Sequence, residues 1–219
     1  MEKPNITKDC VKQLLDTKYL KAFDLQYAEG RHYFVATRRE KEDILSTKSD
    51  EELTSILPDA VSAFLIVRCS GCEPKMWFSH EFRYPTGQFV LSIVSGLIDN
   101  RDLKYDDPVK AALIREIKEE TGITVKESDS IELINPFVFN TPGFTDESQA
   151  LLGVVVDLPD LSELTQKGAE GSEVFNGYEL YSKAEVSEIL KTGRDKDGHF
   201  YPLVTWASMV YFLSDIWDK

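Results

Sequence analysis

Residues 96–123 read GLIDNRDLKYDDPVKAALIREIKEETGI, and the second half of this stretch decides the fold of the chain. Asp107 can cap the amino end of a helix, and Pro108 suits the first helical position, where a missing N–H loses no partner. Gly122 supplies the left-handed residue that commonly ends a helix. The sequence therefore predicts a helix between these residues. Its apolar face, which can pack on a sheet, comprises Leu113, Ile114 and Ile117.

The other face of this helix is acidic. At about 100° per residue, Glu116, Glu119 and Glu120 fall within one narrow sector, and Arg115 flanks it. Carboxylates three and four residues apart repel one another, so a helix in water gains little from this arrangement. A divalent cation such as Mg²⁺ removes the repulsion, because hard cations prefer carboxylate oxygens and bridge substrate phosphates. For the run REIKEE alone, a solvated Glu- and Lys-rich face is the more common explanation.

The whole stretch resembles the Nudix box, a family pattern of Gly, five residues, Glu, seven residues, then Arg-Glu-apolar-any-Glu-Glu-any-Gly-apolar. Residues 115–123 match its second half throughout, and Gly96-Leu97-Ile98-Asp99 matches its opening. The middle departs: Gly96 lies nineteen residues before Arg115 instead of fourteen, so the loop before the helix has five additional residues. Asp107 or Asp106 occupies the first glutamate position, which is not a principal metal ligand in the family. We expect the insertion to reshape a loop and to leave catalysis in place.

The resemblance implies a metal site for pyrophosphate chemistry. Glu116 and Glu120 would be direct ligands, Glu119 a further ligand or a bridge, and the backbone carbonyl of Ser95 would complete the set. Arg115 would orient the carboxylates. The cofactor that the resemblance implies is Mg²⁺, with Mn²⁺ as an alternative.

Segments on both sides of the box are similar to the ADP-ribose pyrophosphatase branch of the Nudix hydrolases. They are Arg83 with the run QFVLSIVSGLID at 88–99, and the loop that contains Pro142-Gly143. In that branch an arginine at this point holds substrate phosphate and a Pro-Gly loop follows the box, which implies substrate-binding roles for these residues. From the residues alone, Arg83 is equally consistent with a surface arginine at the end of a strand, and Pro142-Gly143 indicates a turn. Pro142 lies twenty residues beyond Gly122, whereas the family has about sixteen, so this spacing matches loosely.

A polar loop between Leu158 and Gly177 contains the candidate general bases. Long loops inside compact domains are often functional. In the related pyrophosphatases this loop carries a glutamate that approaches the metal centre and helps to activate water. Glu170 and Glu173 both match that role, and the sequence does not choose between them.

We predict an α+β fold, in which residues 59–219 form a Nudix-type α/β/α sandwich with a mixed β-sheet. Residues 1–58 are too few and too polar for an independent core, so we expect a small β-hairpin region that packs on the rest or on a second subunit. The hairpin is predicted from strand-like runs on either side of Ala28-Glu29-Gly30-Arg31. A short helix is predicted between Val11 and Leu20.

The N-terminal hairpin resembles the part that, in ADP-ribose pyrophosphatases, pairs two subunits and contributes aromatic rings to the adenine site. The resemblance therefore implies a homodimer and makes Tyr33 a substrate-binding candidate, together with Tyr27 and Phe34. Aromatic residues in strands are more often simply packed, which is the alternative.

Composition excludes several classes of partner. The net charge of −13 argues against nucleic acid and against an anionic membrane, since both attract basic surfaces. No apolar run approaches the roughly twenty residues of a membrane helix, and no signal-peptide pattern is present at the start, so we expect a cytoplasmic protein. Cys69 and Cys72 form a CxxC without a second pair, which indicates a turn more than a zinc site. The three histidines are scattered, and nothing in the sequence marks any as catalytic: His32, His80 and His199.

These expectations describe an enzyme that hydrolyses the pyrophosphate bond of a nucleoside diphosphate linked to another moiety. The expected substrate is ADP-ribose, and the products are AMP and ribose 5-phosphate. One alternative is a Nudix hydrolase of another nucleotide sugar. A second is a sensor that binds ADP-ribose without turnover, although such proteins usually lose box glutamates or gain a DNA-binding domain.

Overall fold

The computed structural model describes residues 3–162, 164–168 and 173–218. The described elements are β1 (Val11–Asp16), β2 (Lys21–Ala28), β3 (Arg31–Thr37), α1 (Asp50–Ser55), β4 (Ala60–Cys69), β5 (Lys75–Arg83), β6 (Gln88–Ser92), β7 (Val94–Leu97), α2 (Pro108–Thr121), β8 (Ser130–Phe139), β9 (Ser148–Leu158), β10 (Phe175–Tyr181), α3 (Lys183–Thr192) and α4 (Leu203–Leu213). They form two compact units. The first unit runs to Asp59 and adds Phe137–Gln149, and the second contains Ala60–Pro136 and the chain from Ala150 onward. A domain boundary between residues 58 and 59 stays a prediction.

The first unit contains a three-stranded antiparallel sheet in the order β1-β2-β3. The predicted hairpin is confirmed as β2 and β3, with Gly30 at a φ of 65° in its turn. The helix predicted between Val11 and Leu20 is wrong, because Val11–Asp16 forms β1 and pairs with β2. A helix this short has little stability of its own, whereas the edge of β2 offers a ladder of backbone hydrogen bonds.

The second unit is built on a sheet in the order β10-β5-β4-β9-β8, with β6 paired to β5 and β7 paired to β4. Side chains alternate between the faces of a strand, and β4 is buried on both. Val61, Ala63 and Leu65 enter one core, and Phe64 and Ile66 enter the other. Two cores therefore lie on opposite faces of one sheet.

Helices cover both faces of this sheet. Leu113 and Ile117 of α2 pack in the first core with Trp77 of β5. Met209 and Phe212 of α4 pack in the second core, together with buried residues of α3. The predicted α+β class, with helices around a mixed sheet, is confirmed. Among the described helices, none combines the length and the apolar character that crossing a membrane requires.

The boundaries of α2 are those that its sequence predicts. The carboxylate of Asp107 accepts a hydrogen bond from the Lys110 N–H at 2.9 Å, and Pro108 is the first helical residue. Gly122 ends the helix with a φ of 77°, and its N–H bonds to the Lys118 carbonyl. Since α2 carries the acidic run, these caps determine where the glutamates lie against the sheet.

Candidate active site

The acidic face of α2 lies against the end of β7. Glu116 and Glu120 are buried, and Glu119 is partly exposed. The Ser95 N–H donates to Oε1 of Glu120 at 3.1 Å. The Ser95 hydroxyl donates to the Val61 carbonyl at 3.1 Å, which holds this part of β7 on β4. The structure thus brings Ser95 and the box glutamates together.

Gly96 makes room for one of these carboxylates. A Cβ atom built on Gly96 would lie 1.9 Å from Oε1 of Glu116, well inside any contact distance that real atoms adopt. A larger residue would force the Glu116 carboxylate away from the strand. The glycine that opens the box is therefore explained by a close approach of a side chain and not by a turn.

Arg115 connects the glutamates to the inserted loop. Its Nη1 donates to Glu116 Oε1 at 2.6 Å and to Glu119 Oε2 at 3.0 Å. Its Nε and Nη2 donate to the two oxygens of Asp102 at 3.1 and 2.8 Å, and Nη2 also donates to the Leu97 carbonyl at 2.9 Å. The flat guanidinium suits such a two-point pair with a carboxylate. This network orients two of the three glutamates.

Polar side chains of the inserted loop also contact the hydrogen-bond network around Arg115. Asp102 is buried and accepts the Asp99 N–H at 3.0 Å. Arg101 pairs with Asp99 at 2.7 Å and reaches Glu119 Oε1 at 3.4 Å. The sequence did not indicate Asp102, because nothing in a loop of this composition distinguishes an inward aspartate from a solvated one.

Burial and mutual repulsion raise the pKa values of Glu116 and Glu120. Burial raises the pKa of Glu120 well above its ordinary value, and the charges of Glu116, Glu81 and Glu173 add to the rise. The hydrogen bond from the Ser95 N–H acts in the opposite direction. Burial likewise raises the pKa of Glu116 to about 6, although the Arg115 charge opposes it. A hard divalent cation prefers carboxylate oxygens as ligands, and here these oxygens outnumber the nearby cationic groups. The residues present therefore fit such an ion.

Glu81 is an acidic neighbour that the sequence analysis missed. Burial raises its pKa, the Arg83 charge opposes this, and the Glu173 charge adds to it. Arg83 Nη2 lies 2.6 Å from Glu81 Oε2, so this is where the structure locates the predicted phosphate-binding arginine. A signal was available: alternation along β5 directs Glu81 to the same face as Trp77, which is the face that α2 covers.

The polar loop after β9 runs along the carboxyl half of α2. The Thr165 N–H donates to the Thr121 carbonyl at 2.8 Å, and a Cβ atom on Gly168 would lie 2.3 Å from the Glu119 carbonyl oxygen. Glu173 is exposed, and its charge acts on Glu116 and Glu120. Glu170 lies outside the described residues. Which of the two glutamates serves as the base stays a prediction.

The remaining predicted substrate-binding residues meet in the first unit. The Tyr33 hydroxyl donates to the Gly143 carbonyl at 2.7 Å. Tyr33 and Pro142 line a cavity of about 260 Å³. The other walls are mostly apolar and include Leu25, Val35, Phe139 and Phe144. The structure therefore brings Tyr33 and Pro142 together at one cavity, and Gly143 is joined to Tyr33 by a hydrogen bond.

Comparisons with known proteins support the resemblance that the sequence indicated. No family model matches the chain. An uncharacterized Nudix hydrolase of Schizosaccharomyces pombe is 30% identical over 120 residues, which are 54% of this chain and 54% of that protein. An ADP-ribose pyrophosphatase of Saccharomyces cerevisiae is 32% identical over 101 residues, which are 46% of this chain and 40% of that protein. The chain thus spans about half the length, or less, of these curated relatives.

A solved structure extends the likeness to almost the whole chain. The crystal structure of an ADP compounds hydrolase matches with a TM-score of 0.57 at 18% identity, and it covers 99% of this chain and 95% of that one. At this identity the match supports the fold. Together with the sequence relatives, it confirms the predicted resemblance to Nudix hydrolases and to ADP-ribose pyrophosphatases.

Proposed function

We propose that this chain, a Nudix hydrolase-like protein by sequence and by fold, hydrolyses the pyrophosphate bond of a nucleoside diphosphate linked to another moiety. We propose ADP-ribose as its substrate, with AMP and ribose 5-phosphate as the products, and Mg²⁺ as its cofactor. The observation that carries the proposal is the pair of buried carboxylates on α2, Glu116 and Glu120, whose pKa values rise because burial disfavours their charged forms and the neighbouring glutamates add to the rise. Such a cost to folding is expected where a site binds metal and phosphate.

The metal ligands would be Glu116, Glu120 and the Ser95 carbonyl, with Glu119 as a further ligand or bridge. Mg²⁺ in this position would neutralise the pyrophosphate oxygens and lower the pKa of bound water. Mn²⁺, which also takes oxygen ligands, is the alternative ion. The choice of Mg²⁺ or Mn²⁺ is supported by the proposed ligand atoms around Glu120, all of which are oxygens.

Arg115 is proposed as a positioning residue. It donates to both Glu116 and Glu119, while Asp102 holds its other edge at 3.1 and 2.8 Å. Ligand carboxylates that are oriented by fixed hydrogen bonds bind metal more tightly. Arg115 therefore has no need to contact the substrate.

The attacking water requires a base and an open line to one phosphorus. Glu173, or Glu170, would accept the proton of that water. Support for Glu173 comes from its exposure and from the effect of its charge on Glu116 and Glu120. In-line attack would then expel the second phosphate with its attached group.

Arg83 and the cavity at Tyr33 are proposed substrate contacts. Arg83 is partly exposed and pairs with Glu81, so a phosphate could compete for its guanidinium. The cavity at Tyr33 combines mostly apolar walls with the Tyr33 phenol and the polar residues Ser46, Thr145 and Asp146, which suits a flat heteroaromatic base that carries polar groups. Both contacts are compatible with ADP-ribose and with other nucleotide sugars.

The test is a Mg²⁺-dependent assay in which alkaline phosphatase releases phosphate from the products. ADP-ribose, nucleotide sugars and dinucleotides would be compared. We expect ADP-ribose to be preferred, and Glu116→Gln and Glu120→Gln each to reduce kcat/KM by at least about 100-fold, since each removes a charged metal ligand. Glu188→Gln, at an exposed position on α3, is the matched control and should retain full activity.

Other outcomes would redirect the proposal. Preferred turnover of a sugar nucleotide would keep the metal site and reject ADP-ribose. Binding of ADP-ribose without turnover of any compound would instead favour the sensor. Full activity in both box variants would remove the glutamates from the mechanism.

A homodimer and a cytoplasmic location complete the proposal. The dimer is supported by the resemblance of the N-terminal hairpin to a subunit-pairing region, and light scattering should then give twice the chain mass of 24.9 kDa. The location is supported by the charge and by three cysteines, which suit a reducing compartment. Cell fractionation would test it.

A further inference from the structure

Four metal-ligating side chains converge on the face of the sheet opposite to α2. They are His80 of β5 and three residues of the loop after α3: Asp195, Asp197 and His199. One ligand atom from each lies within 4.8 Å of the others. Alternation along β5 separates this group from the glutamates, because Phe78 and His80 point to the core of α3 and α4 while Trp77 and Glu81 point to that of α2.

The two carboxylate oxygens of Asp195 contact different groups. Oδ1 accepts the backbone N–H groups of Asp197 at 3.0 Å and of His199 at 2.8 Å, which shapes the loop. Oδ2 faces two imidazole nitrogens, Nε2 of His80 at 2.8 Å and Nδ1 of His199 at 3.0 Å. The two rings lie with their centroids 4.6 Å apart. Two imidazoles thus converge on a single carboxylate oxygen.

The loop holds this arrangement in place. The Asp195 N–H donates to the His199 carbonyl at 3.2 Å, and the Gly198 N–H donates to the Asp195 carbonyl at 3.1 Å. Gly198 has a φ of 88°, which favours glycine there. The Leu91 N–H donates to the Phe200 carbonyl at 2.8 Å, which joins the end of the loop to β6. His80, on a central strand, and Asp195 are buried.

We propose that His80, Asp195 and His199 form a second metal site, for a transition ion such as Zn²⁺, with Asp197 as a further ligand. The imidazole nitrogens lie 2.8 and 3.0 Å from Oδ2, which are hydrogen-bond distances. A shift of a few tenths of an ångström would open them to the roughly 3.3–3.4 Å between neighbouring ligands of a tetrahedral ion bound at about 2.0–2.1 Å. Imidazole nitrogens select zinc and similar ions, whereas the glutamate cluster offers only oxygens and suits Mg²⁺. When the ion binds, each neutral imidazole carries its proton on the ring nitrogen that faces away from the metal.

The site would act as a structural link. An ion there would tie β5 to the loop between α3 and α4, and an ion that binds only the folded chain stabilises it. The backbone N–H groups of Asp197 and His199 already donate to Oδ1 of Asp195, and such hydrogen bonds orient a ligating carboxylate. Loss of the ion should therefore lower the unfolding temperature and leave Mg²⁺-dependent turnover in place.

The test is a Zn²⁺ titration of the whole chain after treatment with EDTA and dialysis, in excess Mg²⁺, against a chromophoric chelator. We expect one tightly bound Zn²⁺ per chain and a rise in the unfolding temperature. His199→Gln should weaken Zn²⁺ binding at least about 100-fold, since it removes one of the protein ligands. Because His199 is only partly buried, this variant should fold, and unfolding without Zn²⁺ checks that it does.

Two controls separate this site from other ligands on the chain. Glu116→Gln tests the box glutamates, and Cys72→Ser tests the CxxC; both should retain the tight Zn²⁺. The Co²⁺-loaded protein should show ligand-field bands without a thiolate charge-transfer band. Absence of tight binding in the parent chain, or binding that survives His199→Gln and disappears in a control, would overturn the proposal. Because the readout is binding, the result does not depend on whether the chain hydrolyses ADP-ribose.

Discussion

Glu120 of α2 and Asp195 of the loop after α3 are both buried carboxylates, near opposite faces of the same sheet, yet different groups surround them. Burial raises the pKa of Glu120, and the single Ser95 N–H cannot offset the charges of Glu116 and Glu81. Burial also acts to raise the pKa of Asp195, but hydrogen bonds from the His199 backbone and from two imidazoles outweigh it and the pKa is lowered. The hydrogen-bond donors around a buried carboxylate, together with its burial, thus decide in which direction its pKa moves.

This difference separates a site that stabilises the chain from one that strains it. The loop at Asp195 satisfies its carboxylate within the chain. Glu120 on α2 is buried beside other carboxylates and accepts a hydrogen bond from the Ser95 N–H. Four changes test the comparison, and they are arranged from the largest expected effect to the smallest.

Gly96→Ala should damage the cluster on α2 without weakening the fold. The new Cβ would meet the flexible end of Glu116, so the carboxylate can swing away at little cost in stability. A displaced ligand of this kind should reduce kcat/KM by about 100-fold. Activity at several Mg²⁺ concentrations would be measured beside thermal unfolding. Unchanged activity would mean that the position of the Glu116 carboxylate is unimportant.

Asp102→Asn should act on the same cluster through Arg115. It removes the charge of the two-point pair that holds the guanidinium, so we expect a 10- to 100-fold decrease, approximately, in activity or in Mg²⁺ affinity. A higher Mg²⁺ requirement identifies a positioning effect, which general destabilisation would not produce. Asp106→Asn, an exposed change in the same loop, is the control.

Asp195→Asn should destabilise the opposite face. It leaves buried donors without a carboxylate, which typically costs about 1–3 kcal/mol. Since the native pKa is lowered, the contribution is present above the ordinary value of about 3.9 and is lost as the pH falls through the lower native value. Urea unfolding at pH 7 and at about pH 3 measures both limits. An effect as small at pH 7 as that of the exposed Asp157→Asn would contradict this account.

Glu120→Gln should stabilise the metal-free chain. Because the native pKa of Glu120 is raised, its ionisation opposes folding as the pH rises above its ordinary pKa of 4.5. Removing the charge should therefore stabilise the folded chain at pH 7 and should have no such effect below pH 4.5. We expect the unfolding temperature in EDTA to rise by about 2–4 °C at pH 7. Added Mg²⁺ should reverse the order, because only the parent chain binds the ion. A lower unfolding temperature in EDTA would contradict a cost of burying the Glu120 charge.

The sequence by itself determined the features that depend on neighbouring residues. Asp107, Pro108 and Gly122 set the ends of α2, and the spacing of the box glutamates puts all three on one side of it, because cap chemistry and helix periodicity are local. The β2–β3 hairpin follows from the same kind of local signal around Gly30.

The tertiary structure decided the contacts between distant segments. It paired Val11–Asp16 with β2 where the sequence predicted a helix. It also brought Glu81 near Glu120, joined Asp102 to Arg115, and set His80 beside Asp195, 115 residues further along the chain. No local pattern encodes such contacts, because they depend on strand order and on which face each strand turns to a helix. The directions in which the pKa values of Glu120 and Asp195 move then follow from burial and from those neighbours.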